Sequence, residues 1–333
     1  MFKVAVFSSK SYDKKFLSRY EKQYGICLDF FEHRLTTGSV QLAQGYDAIC
    51  VFVNDELNSQ VLTQLASYNI RTIALRCAGY NNVDITTAAK LKFSIARVPE
   101  YSPQAVAEHA VGLMLTLSRK FHKAYNRVKE DNFALDGLLG FNLYQKTVGV
   151  IGTGHIGKAL CQILQGFSCQ IIAYDPTPNT DLITTGVQYK PLDTVLNQAD
   201  IISLHCPLTP TTQHLINEDT IAKMKNDVML INTSRGGLID THAIISALKN
   251  QRIGYLGLDV YELESELFFE DKSDEIIQDD DFQRLLTFPN VMITGHQGFF
   301  TQEALDTIAS TTLDNLSLLL NKQPCHNLCQ LLK

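Results

Sequence analysis

The chain reads as an α/β protein built on two doubly wound parallel sheets, and three observations predict it. Short, nearly uninterrupted apolar runs alternate with stretches of helical periodicity along most of its 333 residues, the pattern of strands joined by crossover helices. The runs are apolar throughout rather than at every second position, as strands covered on both faces must be. One of them, Thr147–Ile151, leads directly into Gly152-Thr153-Gly154-His155-Ile156-Gly157, a glycine spacing that turns a strand tightly into a helix.

In chain order, Val4–Phe7, Ala48–Val53, Thr72–Leu75 and Ser94–Arg97 are the first strands. Pro99 and Pro103 bracket Glu100-Tyr101-Ser102, a break between elements, and Ser102 before Pro103 opens a helix. Val106, Ala110, Leu113, Met114, Leu117 and Phe121 carry that helix from Gln104 to about Lys129, linking two domains. A second alternating unit has strands at Thr147–Ile151, Gln170–Tyr174, Ile201–His205, Val228–Asn232, Tyr255–Asp259 and Val291–Thr294. Its helices lie near Ile156–Gln165, Leu192–Asn197, Glu218–Met224 and Thr241–Asn250, and Thr301–Leu320 is helical again. The acidic stretch Glu262–Asp281 lacks the D-x-D-x-D-G spacing of a calcium loop and reads as a solvated loop.

Composition removes several classes. Apolar residues make up 45% and charged residues 19%, with a net charge of −6; this is globular, and it argues against a basic nucleic-acid footprint or a polybasic membrane patch. No apolar run approaches the roughly 18–20 residues that span a bilayer. Met1–Lys10 turns polar after its apolar start and reads as a buried strand, not a signal peptide. The eight cysteines lie scattered without C-x-x-C spacing, as reduced thiols of a cytoplasmic protein do. Cys325-His326-Asn327-Leu328-Cys329 supplies too few ligands for a metal site and reads as a packed tail. No metal is expected.

The glycine segment carries chemistry as well as structure. Gly152 allows the tight turn, Gly154 lets backbone approach a pyrophosphate, and Gly157 permits close helix–strand contact. The pyrophosphate then faces the free N–H groups of the helix start. Asp175 ends the next strand, 18 residues past Gly157, where a carboxylate binds ribose hydroxyls and repels a 2′-phosphate. No Arg follows in Pro176-Thr177-Pro178-Asn179, so NAD is expected over NADP. Three further segments end later strands, where open α/β sheets bind ligands: His205-Cys206-Pro207, Asn232-Thr233-Ser234-Arg235-Gly236-Gly237, and Gly257-Leu258-Asp259 running on to Glu262 and Glu264. Thr294-Gly295-His296-Gln297-Gly298 follows the last strand.

These segments, with Lys3-Val4-Ala5-Val6, Ala74-Leu75-Arg76-Cys77-Ala78-Gly79-Tyr80-Asn81-Asn82-Val83-Asp84 and His296-Gln297-Gly298-Phe299, resemble the D-isomer-specific 2-hydroxyacid dehydrogenase family over essentially the whole chain. Within it the sequence is most similar to the fermentative D-lactate dehydrogenases. The resemblance implies a Rossmann NAD-binding domain, residues 101–298, and a discontinuous flavodoxin-like substrate domain, residues 1–100 and 299–333, with a cleft between them. It assigns catalysis to Arg235, Glu264 and His296. Cofactor contacts fall on Gly152, Gly154, His155, Ile156, Gly157, Asp175, Cys206, Pro207, Thr212, Thr233, Ser234, Arg235 and Asp259. Substrate contacts fall on Phe52, Ala78, Gly79, Tyr101, Arg235, His296 and Phe299. Ser265 follows Glu264 where many members have Pro, which leaves the assignment standing.

The implied reaction is reduction of pyruvate to D-lactate with NADH by a cytoplasmic homo-oligomer, dimer or tetramer. Arg235 would hold the substrate carboxylate with its planar donor fork. His296 would protonate the carbonyl oxygen, and Glu264 would orient it and favour imidazolium. Glu262 is a rival for the orienting carboxylate and His205 a rival proton donor. A bulkier 2-keto acid is the nearest alternative substrate, and an NAD-sensing co-regulator the alternative from another class.

Overall fold

A computed structural model of the chain describes residues 1–264 and 267–330. It divides into two compact units: Met1–Ser102 with the chain from Phe300 onward, and Pro103–Phe299. Ser265 lies outside the described residues.

The first unit is a parallel sheet of β1 (Phe2–Val6), β2 (Ile26–Phe30), β3 (Ala48–Val51), β4 (Thr72–Leu75) and β5 (Ser94–Arg97), in the order β2-β1-β3-β4-β5. Four of these are the predicted strands. β2 was not predicted: it is an edge strand that alternates buried Ile26 and Leu28 with more exposed neighbours, so it lacks a continuous apolar signal. Phe7, Leu57, Leu62, Leu65, Ile73 and Leu75 fill the core on one face of the sheet. The helix Gln302–Leu320 packs against β4 and β5 and buries Ala304, Ile308, Leu313 and Leu316. Beyond it the chain runs antiparallel to β5: Ala96 bridges Leu328, and Arg97 N donates to Asn327 O at 3.0 Å. Cys325 and Cys329 are buried in this tail.

The second unit is a seven-stranded parallel sheet of β6 (Thr147–Ile151), β7 (Gln170–Tyr174), β8 (Gln188–Tyr189), β9 (Ile201–Leu204), β10 (Val228–Asn232), β11 (Ile253–Leu258) and β12 (Val291–Ile293). The order β12-β11-β10-β9-β6-β7-β8 reverses direction between β6 and β9, the switch point beside which open α/β sheets bind ligands. β8, a two-residue edge strand, is too short for a sequence signal.

The single helix expected over 104–129 is two helices, Pro103–Arg119 and Phe121–Lys129, broken at Lys120 with φ 54°. The first buries Ala107, Ala110, Met114 and Leu117 against the sheet, whereas the second buries nothing. The returning chain causes the break. Phe141 N donates to Ser118 O at 3.2 Å, and Gly140 passes so close that a Cβ there would stand 2.1 Å from Ser118 O. The acidic stretch is likewise not all loop. Asp279 caps a helix, Asp280–Leu286, by accepting from Phe282 N at 2.9 Å, and Phe282 and Phe268 are buried. Among the described residues no helix is long and apolar enough to cross a membrane.

Candidate active site

The second unit gathers its chemistry at the carboxyl ends of β6, β9, β10, β11 and β12. Gly152, at φ 92°, turns the chain out of β6, and a Cβ there would lie 2.5 Å from Cys206 N. Gly157 packs its helix on the turn, where a Cβ would meet Gly152 O at 2.0 Å. Gly154 differs: a Cβ would point into open space, over a helix start at His155 that no side chain caps. Asp175 completes the turn. Its Oδ2 accepts from Thr153 N at 2.7 Å and Thr153 Oγ1 at 3.1 Å, and its Oδ1 from Thr177 N at 2.8 Å. A carboxylate has about four acceptor sites, so one remains for a hydroxyl.

Across the switch point, Ser234 Oγ donates to Cys206 O at 2.7 Å, and Thr212 Oγ1 donates to Pro207 O at 2.7 Å. Thr233 Oγ1 is buried with no hydrogen-bond partner among the described residues, a group that a ligand would satisfy. Open space at Gly154, a spare acceptor on Asp175 and this orphan hydroxyl all fit a dinucleotide. His205 beside them is not a proton donor at neutral pH. Desolvation pushes its imidazole down to about 4, and its Nε2 lies 2.8 Å from Ser203 Oγ. Burial pushes the Cys206 thiol up to about 11, which keeps it protonated.

Arg235 follows β10 at the start of a tight helical turn, Gly236–Leu238. Its Nη1 donates to Ser234 O at 2.7 Å, and its carbonyl accepts from Asn232 Nδ2 at 2.8 Å. Gly236 is obligatory. A Cβ there would stand 2.0 Å from the Tyr261 carbonyl carbon and 2.3 Å from Glu262 N, so only glycine lets the Arg235 turn meet the segment bearing Glu264. Glu264 Oε2 accepts from Tyr261 N at 2.9 Å, and its Oε1 lies 2.8 Å from His296 Nδ1. Glu262 is engaged elsewhere, with His214 and Thr241. With Nδ1 held, Nε2 is the nitrogen left to face a substrate.

His296 sits in the left-handed region, φ 52°, which costs a non-glycine residue on the order of 1–3 kcal/mol. Asp259, 1% exposed, holds it there. The Asp259 carbonyl accepts from His296 N at 2.8 Å. Its carboxylate accepts from Thr294 Oγ1 at 2.5 Å and from Gln297 N and Gly298 N at 2.8 Å each, with His109 Nε2 3.2 Å away. Burial pushes the Asp259 carboxyl up, but His109 and these donors outweigh it and the net shift is downward. The described partners of this carboxylate are thus the loop carrying His296 and a helix behind it. The rings of Phe269 and Phe299 flank the imidazole at 5.6 and 6.3 Å.

Sequence reasoning gave no role to His109 or Phe269, nor to Thr294 and Gly236 within the segments it singled out. Gly236 had a signal, a glycine directly after the candidate Arg; the others are fixed by contacts far apart in the chain. Of the residues predicted in the first unit, Phe52 follows β3 and lies over the Arg76 guanidinium at 5.1 Å. Ala78 and Gly79 follow β4, where Ala78 O accepts from Arg97 Nη1 at 2.6 Å and Gly79 O from Cys77 Sγ at 3.2 Å. Tyr101 precedes the unit boundary.

Residues 111–298 match the family model for the NAD-binding domain of D-isomer-specific 2-hydroxyacid dehydrogenases. The chain is 52% identical to a D-lactate dehydrogenase of Escherichia coli over 325 residues, 98% of this chain and 99% of that one. It is similar to the apo-structure of D-lactate dehydrogenase from Escherichia coli, with a TM-score of 0.90 and 49% identity, covering 98% and 100% of the two chains. The structure of a Lactobacillus jensenii D-lactate dehydrogenase with NAD+ matches at a TM-score of 0.82 and 35% identity, covering 98% and 99%.

Proposed function

The chain belongs to the D-isomer-specific 2-hydroxyacid dehydrogenases, NAD-dependent oxidoreductases, and on that premise we propose that it reduces pyruvate to D-lactate. The observation that carries this reading is the 2.8 Å pair of His296 Nδ1 with Glu264 Oε1, on a segment pressed against the Arg235 turn. Arg235 binds the substrate carboxylate as a fork, a geometry Lys could not reproduce. NADH, when bound, supplies the hydride. His296 Nε2 donates a proton to the carbonyl oxygen as charge develops there, and accepts it back in lactate oxidation. Glu264 fixes the ring and stabilises imidazolium. Gly152, Gly154, His155, Ile156, Gly157, Asp175, Cys206, Pro207, Thr212, Thr233 and Ser234 would hold the dinucleotide, and Phe299 would wall the substrate's 2-substituent. Phe52, Ala78, Gly79 and Tyr101 keep their proposed substrate contacts.

We also propose a cytoplasmic homo-oligomer. All eight cysteines are free thiols, as in a reducing compartment. Phe121, Tyr125, Phe133, Leu135 and Leu139 are exposed along one segment, and clustered exposed apolar side chains mark association surfaces.

The test is NADH oxidation across pyruvate, 2-ketobutyrate, 2-ketoisocaproate and phenylpyruvate, with chiral analysis of the product. The highest kcat/KM should belong to pyruvate, giving the D-isomer. An equal or higher value for phenylpyruvate would favour the bulkier-substrate reading.

A further inference from the structure

Two residues before Glu264, Glu262 forms a second histidine–glutamate pair that the proposed chemistry does not use. Its Oε1 lies 2.6 Å from His214 Nε2, and its Oε2 accepts from Thr241 Oγ1 at 2.9 Å. Both partners adjoin the Arg235 turn. His214 N donates to Gly237 O at 2.9 Å, inside the turn. Thr241 opens the helix that follows it, Thr241–Lys249. The backbone of Glu262 meanwhile lies so close to Gly236 that a Cβ there would stand 2.3 Å from Glu262 N. His214, like His296, is held left-handed, at φ 49°. Such strain persists where surrounding contacts over-determine it.

We propose that Glu262 is a positioning residue for the reduction. Gripping His214 and Thr241 together, it locks the Tyr261–Glu264 segment onto the turn that carries Arg235, and so sets the carboxylate-binding guanidinium against His296. The inference rests on the roles proposed above for Arg235, Glu264 and His296. A role as the direct partner of His296 does not fit, because both Glu262 oxygens are engaged and Glu264 holds Nδ1. A freely solvated surface pair does not fit either: the side chains are 38% and 28% exposed, and three chain segments converge on one carboxylate.

The test compares Glu262→Ala, His214→Leu and His214→Gln with the unmodified protein by steady-state kinetics on pyruvate, a pH profile, and NADH titration by fluorescence. Misplacing a binding group by about 1 Å costs up to roughly a hundredfold. Glu262→Ala and His214→Leu should therefore raise KM by about tenfold, with kcat changed less, the pH profile unmoved and NADH affinity intact. His214→Gln, which keeps a donor toward Glu262, should recover most of the loss. Unchanged KM in both disabling variants overturns the proposal. So does a Glu262→Ala pH profile displaced as in Glu264→Gln, which would make Glu262 the partner of His296. If Glu262→Ala does not fold, the two His214 variants decide on the same criteria. Unmodified protein inactive on every 2-keto acid would instead sink the functional reading on which this rests.

Discussion

His296 and His214 are two settings of one device. Each is a histidine with left-handed backbone, φ 52° and 49°, within hydrogen-bond reach of a glutamate from the same short segment. They differ in which nitrogen is used. His296 gives Glu264 its Nδ1, near the backbone, and leaves the distal Nε2 outside that pair, as the proposed proton transfer needs. His214 gives Glu262 the distal Nε2 itself and so has no reacting tip left. The surroundings follow suit: His296 is flanked by aromatic rings and backed by buried Asp259, whereas His214 ties loop to loop. A histidine–carboxylate pair is thus no marker of catalysis until the free nitrogen is known.

The largest difference between the two histidines is expected in His296→Gln. General acid–base groups supply roughly 10²–10⁴-fold, so kcat on pyruvate should fall by at least that much while NADH still binds. Near-full turnover would mean that another group donates the proton. Next in size is Asp259→Asn. Its carboxyl lies below the ordinary range, so it stabilises the fold at neutral pH, and that contribution disappears as pH falls through its depressed value. Losing a buried charge partner costs on the order of 3–5 kcal/mol. Urea unfolding should show a loss of this order at pH 7 that shrinks in acid; a constant loss would remove the charge argument.

Glu264→Gln should act more mildly. On the proposed mechanism reduction needs a protonated imidazole, and a neighbouring carboxylate favours that form, so removing the charge should move the profile toward acid with activity persisting there. The smallest effect belongs to His205→Gln. His205 is neutral above about 4, so the shape of the profile between pH 5 and 8 should not change. A moved profile would give it a proton role after all.

The dinucleotide loop was legible because its determinants are local: three glycines, a strand before, an acid one strand later. The candidate catalytic residues were legible as types at strand ends. The choice of Glu264 over Glu262 rested on the family resemblance alone, since both lie in one acidic run and the folded path sets which one reaches His296. Lys120 shows the same limit. A lysine carries no signal for a left-handed turn, and the helix ends there because Phe141 returns to claim Ser118 O. His109 and Asp259 lie far apart in sequence, and nothing along the chain announces that they meet.

The sheet of β1–β5 is finished by residues made long after its last strand. β5 receives its antiparallel neighbour at Leu328, and β4 its covering helix at Gln302–Leu320, while Pro103–Phe299 is continuous. On the ribosome, at roughly 5–20 residues per second, the middle of the polypeptide can therefore complete its tertiary structure first. The first hundred residues, by contrast, wait some ten seconds or more with an uncovered apolar face. That interval is when a holdase would find this nascent chain most accessible.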